Sequence, residues 1–370
     1  MQTAIPYMHF RGGSSKGLFF RATDLPADEA VRNKIILKAM EGVGQGDPRQ
    51  IDGLGGGTSL TSKVAIVSLS KNKDADIDYF FLQVVIGKGK ISTAQTCGNI
   101  LAGVVPFAVE CGMIKANNPT TSARVNMVNT GGICEVTIET PGGKVNYAGN
   151  AKVDGVPGTA APIICNYLDT AGATCGALLP TGNIKDTVEG IEVTCIDNGM
   201  PAVIIRASDL GITGYETPTE LDANEDLKNK LESIRLQIGP AMNLGDVKEK
   251  TVPKMCILSS PLHGGTINTR TFIPHVCHEA IGVLGAVSVA TACMLKGSVA
   301  DGIAIMDANE NNNLSIEHPT GEFTACLNIT RKNGNIIINQ AGVVRTARLL
   351  SKGEVFVPGN ITNLNLCNTS

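Results

Sequence analysis

The sequence predicts an α+β protein of two topologically similar domains. Each would be a curved, mostly antiparallel sheet wrapped round one central buried helix. Three observations lead there. The segment from Gly17 to Leu25 recurs as Ala202 to Leu210, with Arg21 answered by Arg206 and Asp24 by Asp209. The run Lys63 to Ser68 is echoed by Lys254 to Ser259. Cys97 and Cys277-His278 each open an apolar stretch, Ile100 to Val109 and Ala280 to Leu295, apolar on all sides. A helix of that kind in a globular protein is buried all round. These landmarks recur in one order, about half a chain apart. Two copies are too few for a solenoid. They suit two domains, residues 1–185 and 186–370, facing each other across a pseudo-twofold axis with a cleft between.

Taken in order, Tyr7 to Phe10 and Leu18 to Ala22 read as strands flanking a glycine turn. Ala27 to Met40 reads as a helix, capped by Asp24 or Asp28. A glycine-rich loop follows from Gly42 to Gly57. Lys63 to Ser70 and Tyr79 to Ile86 are predicted strands about the polar turn Lys71 to Asp74. Arg124 to Asn129, Ile133 to Glu139 and Lys144 to Ala148 continue as strands, with turns at Gly131-Gly132 and Gly142-Gly143. The domain boundary falls near Ile184 to Glu189, and the second set of strands begins near Ile191. Asp226 to Leu236 is the helix that answers Ala27 to Met40. A last group of strands runs from Phe323 to Val357.

Composition narrows the function. The 370 residues suffice for two cores, and 43% hydrophobic against 18% charged describes a globular chain. Net charge is −3, with no basic stripe, which argues against a nucleic-acid partner. No Trp and 4% aromatics argue against a lectin or a base-stacking platform. The 11 cysteines form no C-x-x-C pair and suit small buried hydrophobes in a reducing cytoplasm. The first residues carry no signal peptide, and Ala280 to Leu295 is shorter than the ~20 residues of a membrane span. A cytoplasmic homo-oligomer, dimer or tetramer, with no membrane partner, is the expectation.

Candidate chemistry centres on the helix starts. A helix N-terminus offers unpaired N–H groups and positive potential, so it binds anions. Two opposed N-termini suit a small molecule with two negative ends. The same field favours the thiolate of a first-turn cysteine, which singles out Cys97 with Gly98 and Asn99. A plain buried thiol is the alternative. Lys63 follows a Gly/Ser-rich loop and opens an apolar strand; partial desolvation would favour its neutral amine and make it a usable base. A solvated strand-end lysine is the alternative there. His278, at the expected start of the second helix, is suited to orienting a carboxylate or relaying a proton. A polar helix-end residue would look the same. Arg270 is placed to hold a carboxylate bidentately, or equally to form an ordinary surface ion pair.

Other site classes are set aside. Gly12 to Gly17 lacks the Gly-Lys-Ser/Thr ending of a P-loop, and Gly53 to Thr58 misses the last glycine of the dinucleotide fingerprint. No G-x-S-x-G elbow occurs. His275, Cys277 and His278 lack a matching pair of metal ligands. No cofactor and no metal are expected.

Several motifs together resemble the PrpF family. They are Arg11-Gly12-Gly13-Ser14-Ser15-Lys16-Gly17, Gln50 to Gly56, Leu60-Thr61-Ser62-Lys63, Cys97-Gly98-Asn99-Ile100, Asp154 to Thr159, Leu179 to Asn183, and His278. The family pattern is Gly-Gly-Thr-Ser-Lys-Gly, so Ser14 departs from it and Ser15 keeps the family serine. The resemblance implies the diaminopimelate epimerase-like fold and a cofactor-independent isomerase acting on an unsaturated di- or tricarboxylate. Asp169 to Gly176, Thr187 to Val193 and Ile273 to His278 resemble the branch that tautomerises an oxo-tricarboxylate in aromatic-acid breakdown. Branches acting on other unsaturated carboxylates remain open. Lys63 and Cys97 are implied as catalytic. Ser15 and His278 are implied as substrate-binding, with Gly13, Ser14, Lys16, Ser62, Gly98, Asn99 and Arg270 beside them. Diaminopimelate epimerases proper use one cysteine from each domain; here Cys277 is the partner by repeat, whereas the resemblance favours His278. An amino-acid racemase and a non-catalytic carboxylate-binding protein are the readings from other classes.

Overall fold

The computed structural model describes residues 2–44, 46–306, 313–332 and 335–359. In chain order the elements of the first half are β1 (Gln2–Gly12), β2 (Ser15–Arg21), α1 (Glu29–Glu41), β3 (Lys63–Leu69), β4 (Ile77–Val85), β5 (Lys90–Ser92), α2 (Gly98–Leu101), α3 (Val104–Glu110), β6 (Thr120–Met127), β7 (Gly132–Glu139) and β8 (Ile163–Tyr167). Next come β9 (Asp186–Val188), β10 (Ile191–Asp197), β11 (Pro201–Arg206), α4 (Pro218–Ala223), α5 (Glu225–Ala241), β12 (Lys254–Ser259), β13 (Ile267–Phe272) and α6 (Val283–Met294). The last described elements are β14 (Asn313–His318), β15 (Gly321–Lys332), β16 (Asn335–Arg345) and β17 (Ala347–Pro358). Within the final strand group, residues 333–334 lie outside the described residues. Among the described residues no helix is long and apolar enough to cross a membrane.

The chain divides into two compact units. The first is Met1–Cys165 with Val344–Ser370, the second Asn166–Val343. The boundary thus lies earlier than the sequence placed it, and the C-terminal strand returns to the first unit. The cause is pairing: β17 runs antiparallel to the whole of β1, from Gln2 opposite Pro358 to Gly12 opposite Ala347. A terminal strand with that many ladder bonds belongs to the sheet it closes.

In the first unit β2 is antiparallel to β1 and parallel to β3, β3 is antiparallel to β4, β4 is parallel to β6, and β6 is antiparallel to β7. The central strands β2 and β3 are buried on both faces, so they read as apolar runs, whereas β6 and β7 alternate. Leu18, Phe20, Val64, Ile66, Leu82 and Val84 point outward and pack with Ile35, Ile36, Ala39 and Met40 of α1. The alternate residues point inward, where the rings of Phe10 and Phe19 lie 5.0 Å apart and that of Phe107 lies 5.7 Å from Phe19. Each such buried side chain contributes on the order of 1.5–3 kcal/mol. Helix α1 begins where the Asp28 carboxylate accepts the Val31 N–H at 2.9 Å and stops at Gly42.

The second unit repeats this topology. β11 is antiparallel to β10 and parallel to β12, β12 is antiparallel to β13, β13 is parallel to β14, and β14 is antiparallel to β15. Lys254 pairs with Ala202 as Lys63 pairs with Gly17. The fold class read from the sequence is the one observed. In the first unit β1, β2, β3, β6 and β7 surround α2 and α3; in the second β10, β11, β14 and β15 surround α6.

Three elements differ from expectation. The first central helix is broken into α2 and α3. Pro106 has no N–H to give the Ala102 carbonyl, and at Gly103 a side chain would strike the Phe19 ring. The second central helix starts at Val283 rather than at Cys277-His278, because the His278 ring takes the Ala280 N–H at 2.8 Å and holds that stretch off helical geometry. Lys144 to Ala148 forms no strand. The Asn146 side chain satisfies the Ala148 N–H and carbonyl and bonds the Glu139 carboxylate, replacing ladder partners with a local turn.

Candidate active site

In the first unit the turn between β1 and β2 and the first turn of α2 are pressed together. Two glycines make this possible: a Cβ at Gly12 would run into the Asn99 carbonyl oxygen, and one at Gly13 into the Asn99 side-chain amide. Gly13 has φ +50°, a region that favours glycine. Asn99 Nδ2 donates to Ser14 Oγ at 3.1 Å. Arg11 pins the turn from behind, donating through Nη1 to the Gly13 carbonyl at 2.9 Å and to the Thr346 hydroxyl at 2.9 Å. Gly13 itself donates to the Thr346 carbonyl at 2.8 Å.

Beside this turn lies Lys63. Its backbone fits against β2 because Gly17, its direct partner, has no Cβ to meet the Lys63 carbonyl. The side chain is 7% exposed and points to the inner face. Its Nζ donates to Gln83 Oε1 at 2.8 Å and sits 5.4 Å from the centroid of the Phe81 ring. Two residues further along β4, Tyr79 donates its hydroxyl to the Cys97 carbonyl at 3.1 Å. One strand therefore carries contacts to both Lys63 and the Cys97 turn. Ser15 also faces inward; its hydroxyl is buried without a hydrogen-bond partner. A buried hydroxyl lacking a partner is costly, and one beside a lysine is suited to a polar ligand.

Cys97 caps α2 without a side-chain bond, and the N–H groups of Gly98, Asn99 and Ile100 open the helix. With only four residues in α2, the attraction for an anion comes from these local N–H groups more than from a summed dipole. The first unit thus brings together Gly13, Ser14, Ser15, Gly98 and Asn99 around one turn contact. It links Lys63 and Cys97 to one strand.

Three expected binding residues sit elsewhere. Lys16 lies on the outer face, since it is two residues from Leu18 and directly opposite Arg11. Ser62 is fully buried and donates to Gln50 Oε1 at 2.6 Å. Arg270 shares the outer face with Ile257, under α4 and α5. Its guanidinium already donates to the Glu216 carbonyl at 2.7 Å, Asn268 Oδ1 at 3.0 Å and the Thr269 carbonyl at 3.0 Å. For Lys16 and Arg270 strand alternation, invisible without the register, turned the side chain away; Ser62, in the loop before β3, is held by its bond to Gln50.

In the second unit His278 hydrogen-bonds along β13 rather than starting a helix; its N–H reaches the Thr271 carbonyl at 2.8 Å. Burial holds its imidazole below the usual range, and Lys254 acts the same way against the opposing Glu279. With Nδ1 accepting the Ala280 N–H, a neutral ring carries its proton on Nε2 and presents a donor. Cys277 belongs to the outer core, and burial with Asp222 nearby pushes its thiol up to about 11.

Gln83 and Tyr79 were not found in the sequence. Nothing in a β-strand pattern marks them; only the ladder register sets Gln83 opposite Lys63.

Comparison with known proteins accords with this arrangement. A family model described as PrpF protein matches residues 2–358. The chain is 54% identical over 356 residues to 4-oxalomesaconate tautomerase of Pseudomonas putida, covering 96% of this chain and 97% of that protein. It is 35% identical over 379 residues to 3-methylitaconate isomerase of Eubacterium barkeri, covering 96% and 98%. The crystal structure of a methylitaconate-delta-isomerase superposes with a TM-score of 0.86 at 32% identity, covering 100% of this chain and 99% of that one. With the duplicated topology, the glycine-dependent turn contact and a match spanning both units, the chain belongs to the PrpF family.

Proposed function

We propose that this protein is an isomerase that moves a proton along an unsaturated polycarboxylate, and that its substrate is 4-oxalomesaconate, in the breakdown of gallate. The observation that carries this reading is Lys63: a buried amine held by a neutral acceptor, on the same inner face of the sheet as the buried, unpartnered Ser15 hydroxyl. The 54% identity to a 4-oxalomesaconate tautomerase supports the choice of substrate.

In the proposed reaction the Lys63 amine takes a proton from the carbon that lies next to a carbonyl or vinylogous to a carboxylate. The C–H electron pair moves into the conjugated system and gives a dienolate. N–H groups at the start of α2 and the Ser15 hydroxyl stabilise the oxygen on which charge develops. The Lys63 ammonium, or the Cys97 thiol, then returns a proton at the far end of the system. One proton leaves and one arrives, so the product is an isomer and no covalent intermediate forms. Only groups of the chain itself take part.

The test is a proton NMR time course with 4-oxalomesaconate, 3-methylitaconate and 2-methylaconitate in parallel. Fast conversion of 4-oxalomesaconate with at most slow conversion of the others is expected. Faster turnover of either methyl-substituted substrate would reassign the substrate, and binding without turnover of any would reject the enzyme reading.

A further inference from the structure

We propose that Gln83 is the positioning residue of Lys63. It aims the amine into the site and, being neutral, leaves that amine able to shed its proton. The inference rests on Lys63 being the base, as proposed above.

Gln83 stands directly opposite Lys63 in the antiparallel β3–β4 ladder, so the two side chains rise from the same face. Its Oε1 accepts from Lys63 Nζ at 2.8 Å. Its Nε2 faces the carbonyls of Ser59, Ser62 and Val84, each at 3.1 Å. Those three acceptors decide which end of the amide is nitrogen. Flipped, the amide would set its oxygen against three carbonyl oxygens and its NH2 against another donor. The oxygen therefore has one place to be, and Lys63 Nζ meets a fixed acceptor. The same contacts tie down Ser59 and Ser62, in the loop that leads into Lys63.

The charge of that acceptor matters as much as its position. A carboxylate there would hold Lys63 as an ammonium ion, since an opposite charge in contact favours the charged form. A carbonyl oxygen accepts an N–H from either form, more strongly from the ammonium, but it favours the charged form far less than a carboxylate would. The Phe81 ring, its centroid 5.4 Å from Nζ, carries no net charge, and its face attracts an ammonium far more weakly than a carboxylate in contact would.

The internal repeat supplies a comparison. Lys254 is the counterpart of Lys63, paired with Ala202 as Lys63 is with Gly17. Continuing the β12–β13 register one step past Met255 opposite Phe272 sets Ile273 opposite Lys254. The same strands therefore form without an amide at that place. Gln83 is not a requirement of the topology.

The experiment uses full-length protein labelled with 13Cε-lysine, with the Lys63 resonance assigned by its loss in Lys63→Arg. In Gln83→Glu the pH at which Lys63 titrates should rise by about one unit or more. The ascending limb of kcat against pH should move with it. In Gln83→Met, which keeps the length but has no comparable acceptor, the Lys63 titration should move down, and kcat should fall about tenfold or more with little change in KM. An unmoved Lys63 titration in folded Gln83→Glu with the introduced carboxylate ionised would overturn the proposal, as would loss of activity in Gln83→Met with an unmoved titration, the mark of a merely structural role. Should Gln83→Glu fail to fold, Gln83→Met decides alone. A Lys63 titration that moves while the rate profile stays put would uphold Gln83 as the residue that holds the amine and overturn Lys63 as the base.

Discussion

Asn99 donates its side-chain amide to Ser14 Oγ at 3.1 Å, joining residues 85 apart in sequence. That bond exists because Gly13 lies between them without a side chain. Gly13→Ala should therefore suffer twice, from a left-handed backbone that costs a Cβ about 1–2 kcal/mol and from displacement of the Asn99 amide. We expect a total loss of about 2–3 kcal/mol in urea unfolding and a fall in kcat/KM of about tenfold or more. Gly142 also has positive φ but opens onto empty space, so Gly142→Ala should show the backbone cost alone and full activity. Equal behaviour of the two variants would contradict the turn contact.

His9 on β1 makes stability depend on pH. Burial, and secondarily Lys16, lowers its pKa from 6.5 to about 4, and its Nε2 is buried without a partner. The folded chain resists the proton that the unfolded chain accepts. Between those two values the unfolded state binds more protons, so stability rises with pH and is lost as pH falls from 6.5 toward 4. Allowing for partial solvent screening, the loss is about 1–2 kcal/mol. Urea unfolding of wild type and His9→Gln at pH 7 and pH 4.5 should show the smaller decline in His9→Gln. Parallel declines would mean that His9 is not the group responsible.

Cys277 distinguishes the proton shift from a two-thiol racemisation. With its thiol pushed up to about 11, about one molecule in a thousand is thiolate at pH 8. Iodoacetamide at that pH should leave Cys277 of the native protein unmodified. Cys277→Ser should keep kcat within about twofold. Rapid alkylation of Cys277 with loss of activity would revive the racemase reading.

The duplication was legible because it is carried by apolar strands buried on both faces, and such runs keep their character in both copies. The glycine turn was legible for a related reason: Gly12, Gly13 and Gly17 are needed where backbone meets backbone, and few residues replace them. What escaped was set by register. Lys16 neighbours Ser15 in sequence and points to the opposite face, since adjacent strand residues alternate; Ser62 neighbours Lys63 but is taken up by Gln50, 12 residues back. Gln83 is 20 residues from Lys63, and only the length of the β3–β4 connection makes them partners. The late start of α6 escaped because a side-chain bond from His278 competes with helix geometry at a place where composition still reads as helix. The return of β17 to β1 is a pairing between chain ends, which no local pattern encodes.

The most direct test of the account is the turnover of 4-oxalomesaconate by Lys63→Ala, followed by proton NMR beside wild type, with the fold checked by unfolding. Removal of a general base should lower kcat by about 10²–10⁴-fold while leaving a folded protein that still binds the substrate. A folded Lys63→Ala enzyme that turns over within about tenfold of wild type would contradict it.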